Sequence, residues 1–178
     1  MTNEFDLPKS PGKNIEILEH EGQSVDPNFQ TQERRLALFV GEKYLNYYRE
    51  KFHLLRMQKK TLDFNYAALF FSFFWLFYRK MYGTGLFVLS LMILIMVVNV
   101  YYFDLPSLTT FVVSLILGFK ANSLYYQFTM KRIQHIEAHY VTDADIDNAI
   151  QKQGGVHPLL VIIMAVIFIF LTLFAFIE

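Results

Sequence analysis

The sequence predicts an all-α membrane protein with a helical hairpin, a C-terminal transmembrane helix, an aromatic interfacial or re-entrant segment, and cytoplasmic amphipathic helices. Two stretches, 85–103 and 158–177, contain no charged residue over 19 and 20 positions. A helix that crosses a bilayer needs about 20 predominantly apolar residues. Hydrophobic residues make up 54% of the 178, above the roughly 45–50% of soluble domains. The 19 Phe and 11 Tyr supply much of this excess.

Composition and motif content argue against several classes of function. The chain has no cysteine, which excludes disulfides, thiolate catalysis and Cys-based zinc or iron–sulfur sites. It has no Gly-rich phosphate loop, no G-x-S-x-G motif and no kinase signature. We therefore expect no enzymatic activity and no cofactor. Basic residues alternate with aromatic ones over 43–60, but in a chain without net charge this pattern favours anionic lipids over nucleic acid.

The first 60 residues divide into an acidic tail and a basic helix. Residues 1–30 hold six acidic residues, two lysines and several Pro and Gly, so they cannot bury enough apolar area to offset their ordering entropy. We predict a disordered tail over 1–30. Residues 31–60 carry eight basic and three acidic residues, with apolar residues at helical spacing. We predict one basic amphipathic cytoplasmic helix there, which lies either on an anionic bilayer surface or against its own protein.

The region 61–157 is predicted to combine an interfacial segment, a hairpin and cytoplasmic helices. Residues 64–78 are uncharged and highly aromatic but number only 15, too few to cross roughly 30 Å at about 1.5 Å per residue. Residues 85–103 form a full span, and 106–119 return as a shorter span that contains small residues. Residues 120–153 are polar and amphipathic, and Gly154–Gly155 is expected to end their last helix. A transmembrane helix over 158–178 follows.

The distribution of Lys and Arg predicts the orientation, because cytoplasmic flanks are enriched in these residues. The segment before residue 64 is strongly basic, as are Arg79–Lys80 and Lys120, whereas the turn at 101–106 contains one aspartate and no basic residue. We predict residues 1–82 and 120–157 in the cytoplasm and Glu178 on the far side. In this topology 64–78 lies in the interface or re-enters from it. The alternative makes 64–78 a full span and places Arg79 and Lys80 outside.

Two histidines raise the question of a metal site. His135 and His139 share a helix face because they are four residues apart, and Asp143 continues that face if the helix persists. Two His and a carboxylate can bind zinc or iron. The spelling H-I-E-A-H is not the H-E-x-x-H order of metalloproteases. We favour two solvated histidines over a metal site, and we keep these three residues as the only metal candidates.

The run FNYAALFFSFFWLFYRKMY resembles the DUF2628 family of bacterial inner-membrane proteins. That family shows an F-N-W-A-A-F-F-x-x-x-W-x-x-Y-R-K-M-Y motif, hydrophobic helices and then an A-N-x-x-Y motif. The first motif is kept, with Tyr66 in place of the usual Trp, at Phe64, Asn65, Ala67, Ala68, Trp75, Tyr78, Arg79, Lys80, Met81 and Tyr82. The second is kept at Ala121, Asn122 and Tyr125, and Gly154–Gly155 resembles a family glycine pair. The resemblance covers about residues 40–155 and implies a membrane protein of uncharacterised activity.

The motif residues have physical roles that do not depend on the resemblance. We expect Asn65 to cap the aromatic helix, and we expect Asn122 and Tyr125, which follow the return span, to bond to the first motif. The aromatic members should anchor at the membrane interface, and the basic members should meet headgroup phosphates. The full set of expected interaction or interfacial residues is Phe64, Asn65, Trp75, Tyr78, Arg79, Lys80, Tyr82, Asn122 and Tyr125.

Three functions remain open at this point. The favoured one is a non-catalytic accessory or scaffold subunit of a larger inner-membrane complex, in contact with other membrane subunits and anionic lipids. Few polar groups lie within the apolar runs, and a return helix with small residues suits close helix–helix contact. The second is lipid sensing or membrane remodelling by residues 31–82. The third, a small transporter or metal-dependent membrane enzyme, would need a buried polar cluster.

Overall fold

The computed structural model describes residues 27–57, 64–102 and 106–175, and the regular secondary structure within these ranges is helical, without a strand. The fold class is therefore all-α. In chain order the helices are α1 (Pro27–Val40), a π-helix (Tyr44–Tyr48), α2 (Arg49–Arg56), α3 (Tyr66–Tyr78), α4 (Tyr82–Tyr102), α5 (Pro106–His139), α6 (Asp143–Gln153) and α7 (Pro158–Ala175). The chain forms two compact units: unit 1 combines 1–61 with 126–155, and unit 2 combines 62–125 with 156–178.

Unit 1 is a small helical domain with an aromatic core. The Phe52 ring is fully buried and contacts the rings of Tyr44, Tyr48 and Tyr126 at centroid distances of 6.3, 5.3 and 5.1 Å. Aliphatic residues from α1, α5 and α6 complete the core, among them Leu36, Val40, Ile133, Ile136, Ile146 and Ile150. The apolar face of the basic segment 31–60 therefore packs within the protein, which was one of the two alternatives predicted for this segment.

The helix boundaries in unit 1 differ from the prediction at two places. α1 begins at Pro27, inside the stretch expected to be a disordered tail, and residues 1–26 lie outside the described ranges. Proline suits the first helical position, since its ring presets φ and the missing N–H is not needed there. The predicted single helix over 31–60 is broken at Gly41, whose φ of +78° ends α1 in a conformation that glycine adopts readily.

Two glycines lock α6 to α1 within unit 1. Gly154 N donates to Ile150 O over 2.8 Å and ends α6, as the sequence predicted, while Gly155 N donates to Phe39 O over 2.7 Å. A Cβ atom on Gly154 would lie 2.3 Å from Phe39 O and 2.7 Å from Phe39 Cα. Only glycine allows the two backbones to approach this closely.

Unit 2 is built around the aromatic helix α3, which packs against both α4 and α7. Asn65 caps α3, because its side-chain oxygen accepts from Ala68 N over 3.0 Å, and this confirms the predicted cap. Within α3 the backbone breaks at Ser72, with φ of 44° and ψ of −120°. Ser72 is buried, and its hydroxyl donates to Met92 Sδ on α4 over 3.5 Å.

The return helix is longer than predicted. Residues 106–119 were expected to form a short span, followed by separate cytoplasmic helices from residue 120, but α5 continues without a break to His139. No Pro or Gly follows Gly118 in this helix, so nothing in the sequence interrupts its backbone hydrogen bonding. Asn99 on α4 donates from its side-chain amide to Ile95 O of the same helix over 2.8 Å.

Candidate functional site

Polar residues of the two motifs meet inside unit 2. Asn65 Nδ2 donates to Asn122 Oδ1 over 2.8 Å, and each residue is only 2% exposed. The backbone is joined at the same place, because Asn65 N donates to Gly118 O over 2.9 Å. A Cβ at Gly118 would lie 2.8 Å from the Phe64 ring, so the ring would have to shift to admit a side chain there. Asn65 thus ties the start of α3 directly to α5.

A second contact joins the end of α3 to α5. The Trp75 and Tyr125 rings meet edge to face at a centroid distance of 6.0 Å. The Arg79 guanidinium lies 4.9 Å from the centre of the Tyr125 ring, a cation–π geometry that gains strength when water is excluded. Arg79 is only 4% exposed. We call Asn65, Trp75, Arg79, Asn122 and Tyr125 the motif cluster.

The motif cluster confirms one prediction and corrects two others. Asn122 bonds to Asn65 of the first motif, and the Tyr125 ring contacts Trp75 and Arg79 of that motif, as their position after the return span suggested. Trp75 was expected to anchor at the membrane interface, but it is only 6% exposed and packs against the Tyr125 ring. Arg79, however, was expected to meet headgroup phosphates, and its side chain instead packs into the protein against the Tyr125 ring. The physical reason is that a guanidinium is weakly hydrated and stacks well on an aromatic face. Charge alone, read from the sequence, did not distinguish these two environments.

The remaining motif residues surround the turn between α3 and α4. Lys80 is half-buried and adopts a left-handed φ of 59°, which permits the tight turn. His157 N donates to Tyr78 O over 2.9 Å, and the exposed Tyr82 hydroxyl lies 3.3 Å from His157 Nδ1. The start of α7 is therefore bonded to the α3–α4 turn. Phe64, at the other end of α3, packs its ring 4.8 Å from that of Phe119.

The metal candidates lie in unit 1 and are engaged in other contacts. The His135 and His139 rings stack at 4.2 Å, and His139 Nδ1 lies 2.7 Å from His135 O. Asp143 Oδ1 accepts from Arg35 Nη2 over 2.7 Å. Within the described residues, no group of three or more His, Asp or Glu side chains is arranged to hold a metal ion.

Unit 1 also contains a buried ion-pair network that the sequence analysis did not find. Glu33 is 5% exposed; it accepts from Tyr44 Oη over 2.6 Å and from Arg56 Nη2 over 2.7 Å, and Arg49 Nε lies 3.9 Å from it. Burial raises the pKa of Tyr44 well above its usual range, and the Glu33 charge and hydrogen bond act in the same direction. The only signal in the sequence was an acidic residue, Glu33, followed by two arginines, Arg49 and Arg56, whose seven-residue spacing places them on one helix face.

A second network links α1 to α5 and α6. Arg35 contacts Glu137 at 2.8 Å and Asp143 at 2.7 Å, and Arg34 contacts Asp147 at 2.7 Å. Burial raises the pKa of Asp147, and the two arginines offset this effect only in part. With Arg49 and Arg56 paired to Glu33, four of the basic residues in the predicted amphipathic helix over 31–60 have carboxylate partners within unit 1.

The helices and a comparison with known families show the class to which the protein belongs. It is an all-α chain in which two helical stretches, Tyr82–Tyr101 and one within Asp143–Phe170, are long and apolar enough to cross a membrane by length and composition. Its sequence matches, over residues 28–131, the family model described as "Protein of unknown function (DUF2628)". The chain belongs to the DUF2628 family. The match begins before residue 40, where the motif resemblance was placed, and ends before Gly154–Gly155. Neither the curated proteins nor the solved structures contain a significant match.

Proposed function

We propose that this chain is a multi-pass membrane protein that serves as a non-catalytic accessory or scaffold subunit of a larger membrane complex. The observation that carries the proposal is the use of the polar motif residues. The motif cluster bonds α3 to α5, so its side chains maintain the shape of unit 2. A chain that keeps its characteristic polar residues for its own architecture is suited to presenting surfaces to other molecules.

The exposure of the apolar helices supports a location in the membrane. Only 11% of the apolar window in Tyr82–Tyr101, and 6% of that in Asp143–Phe170, is buried by the protein. A core helix of a soluble protein would be mostly buried. Large side chains such as Phe87, Leu94 and Ile163 are about half exposed or more. Soluble monomers rarely expose contiguous apolar patches of more than a few hundred Å², so lipid or another membrane protein is the fitting environment.

Lipid sensing by residues 31–82 has less support. The proposal needs basic side chains available to anionic headgroups, and four arginines of this region form ion pairs within unit 1. One observation still favours lipid sensing, namely the exposed aromatic residues of α3. If lipid sensing is the function, the melting temperature of the protein in nanodiscs should rise with the fraction of anionic lipid. We expect no such dependence.

The test of the accessory role is purification of the tagged, full-length chain from native membranes in mild detergent. We expect partner proteins to co-elute with the chain at fixed stoichiometry and to migrate with it on native gels. When a partner is tagged instead, purification through that tag should recover the chain. Gly154→Ala is expected to loosen unit 1 and to reduce recovery if that unit holds a partner, and Gly83→Ala, whose added Cβ meets no atom within 4 Å, is the matched control. Recovery of the chain as a partner-free monomer would refute the proposal.

A further inference from the structure

Both ends of the aromatic helix α3 contact one short stretch of α5. At the start, Asn65 N donates to Gly118 O over 2.9 Å, so the two backbones are adjacent. At the end, the Trp75 ring lies 6.0 Å from the Tyr125 ring, and the Arg79 guanidinium lies 4.9 Å from the same ring. The two contacts on α5 are therefore only seven residues apart.

This spacing limits how far α3 extends along α5. Seven residues of an α-helix rise about 10 Å, whereas 13 residues of unbroken helix, the number in α3, would be about 20 Å long. The break at Ser72 means that α3 is not one straight helix, so its two ends lie no farther apart than this. Because both ends contact the same short stretch of α5, they differ in level by far less than the roughly 30 Å of a bilayer core. A spanning helix would place its ends at opposite surfaces.

We propose that α3 is seated in a single leaflet of the membrane and that its exposed aromatic face contacts the lipids of that leaflet. This inference rests on the membrane location proposed above and selects between the two topologies that the sequence left open. The leaflet is the one that contains the Arg79–Tyr125 contact. α4, which is about 30 Å long over its 21 residues, then crosses from that leaflet to the other.

The two faces of α3 differ in the way this seating requires. Ala68 and Leu76 are fully buried against the rest of unit 2, whereas Tyr66, Phe70 and Phe71 are 68%, 76% and 62% exposed. Tyr side chains are enriched at the level of the lipid headgroups, and Phe side chains are favourable within the bilayer. Three large rings exposed on one short helix indicate a lipid-facing surface.

Lipid is the occupant that the surroundings of this face favour. α3 packs against α4 and α7, and both of these helices carry many exposed apolar side chains. The described part of unit 2 contains no acidic residue, so nothing there would repel an anionic headgroup. A soluble partner would have to cover this face while lipid covers the helices on either side of it.

The absence of native cysteine allows a direct test with single-cysteine variants of the full chain. Ala67→Cys reports the start of α3, Gly83→Cys the start of α4 and Tyr101→Cys its far end, and all three positions are exposed. A Cβ at Gly83 meets no atom within 4 Å. Each cysteine carries a bimane label, and the protein is placed in uniformly oriented vesicles with nitroxide lipid in only one leaflet.

We expect nitroxide lipid in one leaflet to quench the labels at residues 67 and 83 together, and nitroxide lipid in the other leaflet to quench the label at residue 101. Quenching of the labels at 67 and 101 from the same leaflet would show that α3 spans and would overturn the inference, while the membrane location would survive. Lack of quenching at all three positions, from either leaflet, would overturn the membrane location itself.

A cross-linking experiment tests the occupant. We expect Phe70→Cys, under mild oxidation in the membrane, to remain monomeric, as Gly83→Cys should, with its bimane label quenched by nitroxide lipid. A disulfide-linked dimer formed by Phe70→Cys but not by Gly83→Cys would show that a second copy of the chain covers the aromatic face. That result would overturn lipid as the occupant.

Discussion

Replacing Gly154 by alanine should destabilise unit 1 more than any other glycine-to-alanine change in that unit. The added Cβ would lie 2.3 Å from Phe39 O and 2.7 Å from Phe39 Cα. Both atoms belong to the backbone of α1, so no side chain can rotate away to relieve the overlap. α1 and the end of α6 must separate, and the 2.7 Å hydrogen bond from Gly155 N to Phe39 O lengthens or breaks.

The magnitude follows from these two effects. Overpacking a close contact costs about 1–3 kcal/mol, and loss of a buried hydrogen bond costs about 1 kcal/mol more. The sum is roughly 2–4 kcal/mol, and for a chain of this size about 1 kcal/mol shifts the melting temperature by about 2–4 °C. We expect Gly154→Ala to lower Tm by roughly 4–16 °C and to speed amide hydrogen exchange in α1.

The assay is thermal unfolding followed by circular dichroism at constant detergent, with hydrogen exchange and mass spectrometry to locate the change. Gly83→Ala is the matched control, because its Cβ meets no atom within 4 Å and alanine is the better helix former. Gly41→Ala distinguishes backbone strain from steric overlap. Its φ of +78° strains an alanine, but the added Cβ overlaps no atom. A Tm for Gly154→Ala equal to that of Gly83→Ala would refute the steric argument.

Three further predictions concern the motif cluster and the ion pairs. Gly118→Ala should lower the free energy of unfolding by less than Gly154→Ala does, because its Cβ meets the far end of the Phe64 ring, which can shift, rather than backbone, and because alanine is the better helix former. Gly118→Ala and Phe64→Ala should be non-additive in a double-mutant cycle of unfolding free energies; strict additivity would contradict the contact. Asn122→Ala should lower the free energy of unfolding by about 1–3 kcal/mol, because the buried Asn65 amide loses its acceptor; denaturant titration measures this, and an unchanged midpoint would count against the bond. Because burial raises the pKa of Asp147, its contribution to stability is present below the usual aspartate pKa and is lost as pH rises through the raised value. The Tm of the wild type relative to Asp147→Asn should therefore fall as pH increases, and a rise would show that pairing with arginine outweighs burial.

Local structure in this chain was predictable where one short-range signal decides it. Asn65 before an apolar run predicted a helix cap, and its side chain accepts from Ala68 N. Gly154 after the last periodic residue predicted the end of α6. Each outcome depends on atoms within a few residues, so the sequence contains the necessary information. The uninterrupted course of α5 past residue 120 was missed because a change in polarity was read as a change of element.

The environment of charged groups was harder to predict, as Arg79 and Glu33 show. Arg79 was assigned to headgroups because basic residues flank membrane segments, yet it packs on the Tyr125 ring. No pattern in the sequence singled out Glu33, yet it is the buried centre of a network with Tyr44 and Arg56. In both cases the partners lie on other helices, and nothing in the local sequence pattern specifies the distance between the charged group and its partners.

The all-α class, the family, the apolar helices and the two motifs were predictable from the amino-acid sequence. Hydrophobic runs and helical periodicity are local properties, and they do not depend on what the helices pack against. That the motifs meet, that Gly154 and Gly118 mark close approaches, and that both ends of α3 contact the same short stretch of α5 became visible in the folded chain. Those facts depend on distances between residues far apart in the chain, which are set by packing of the folded helices.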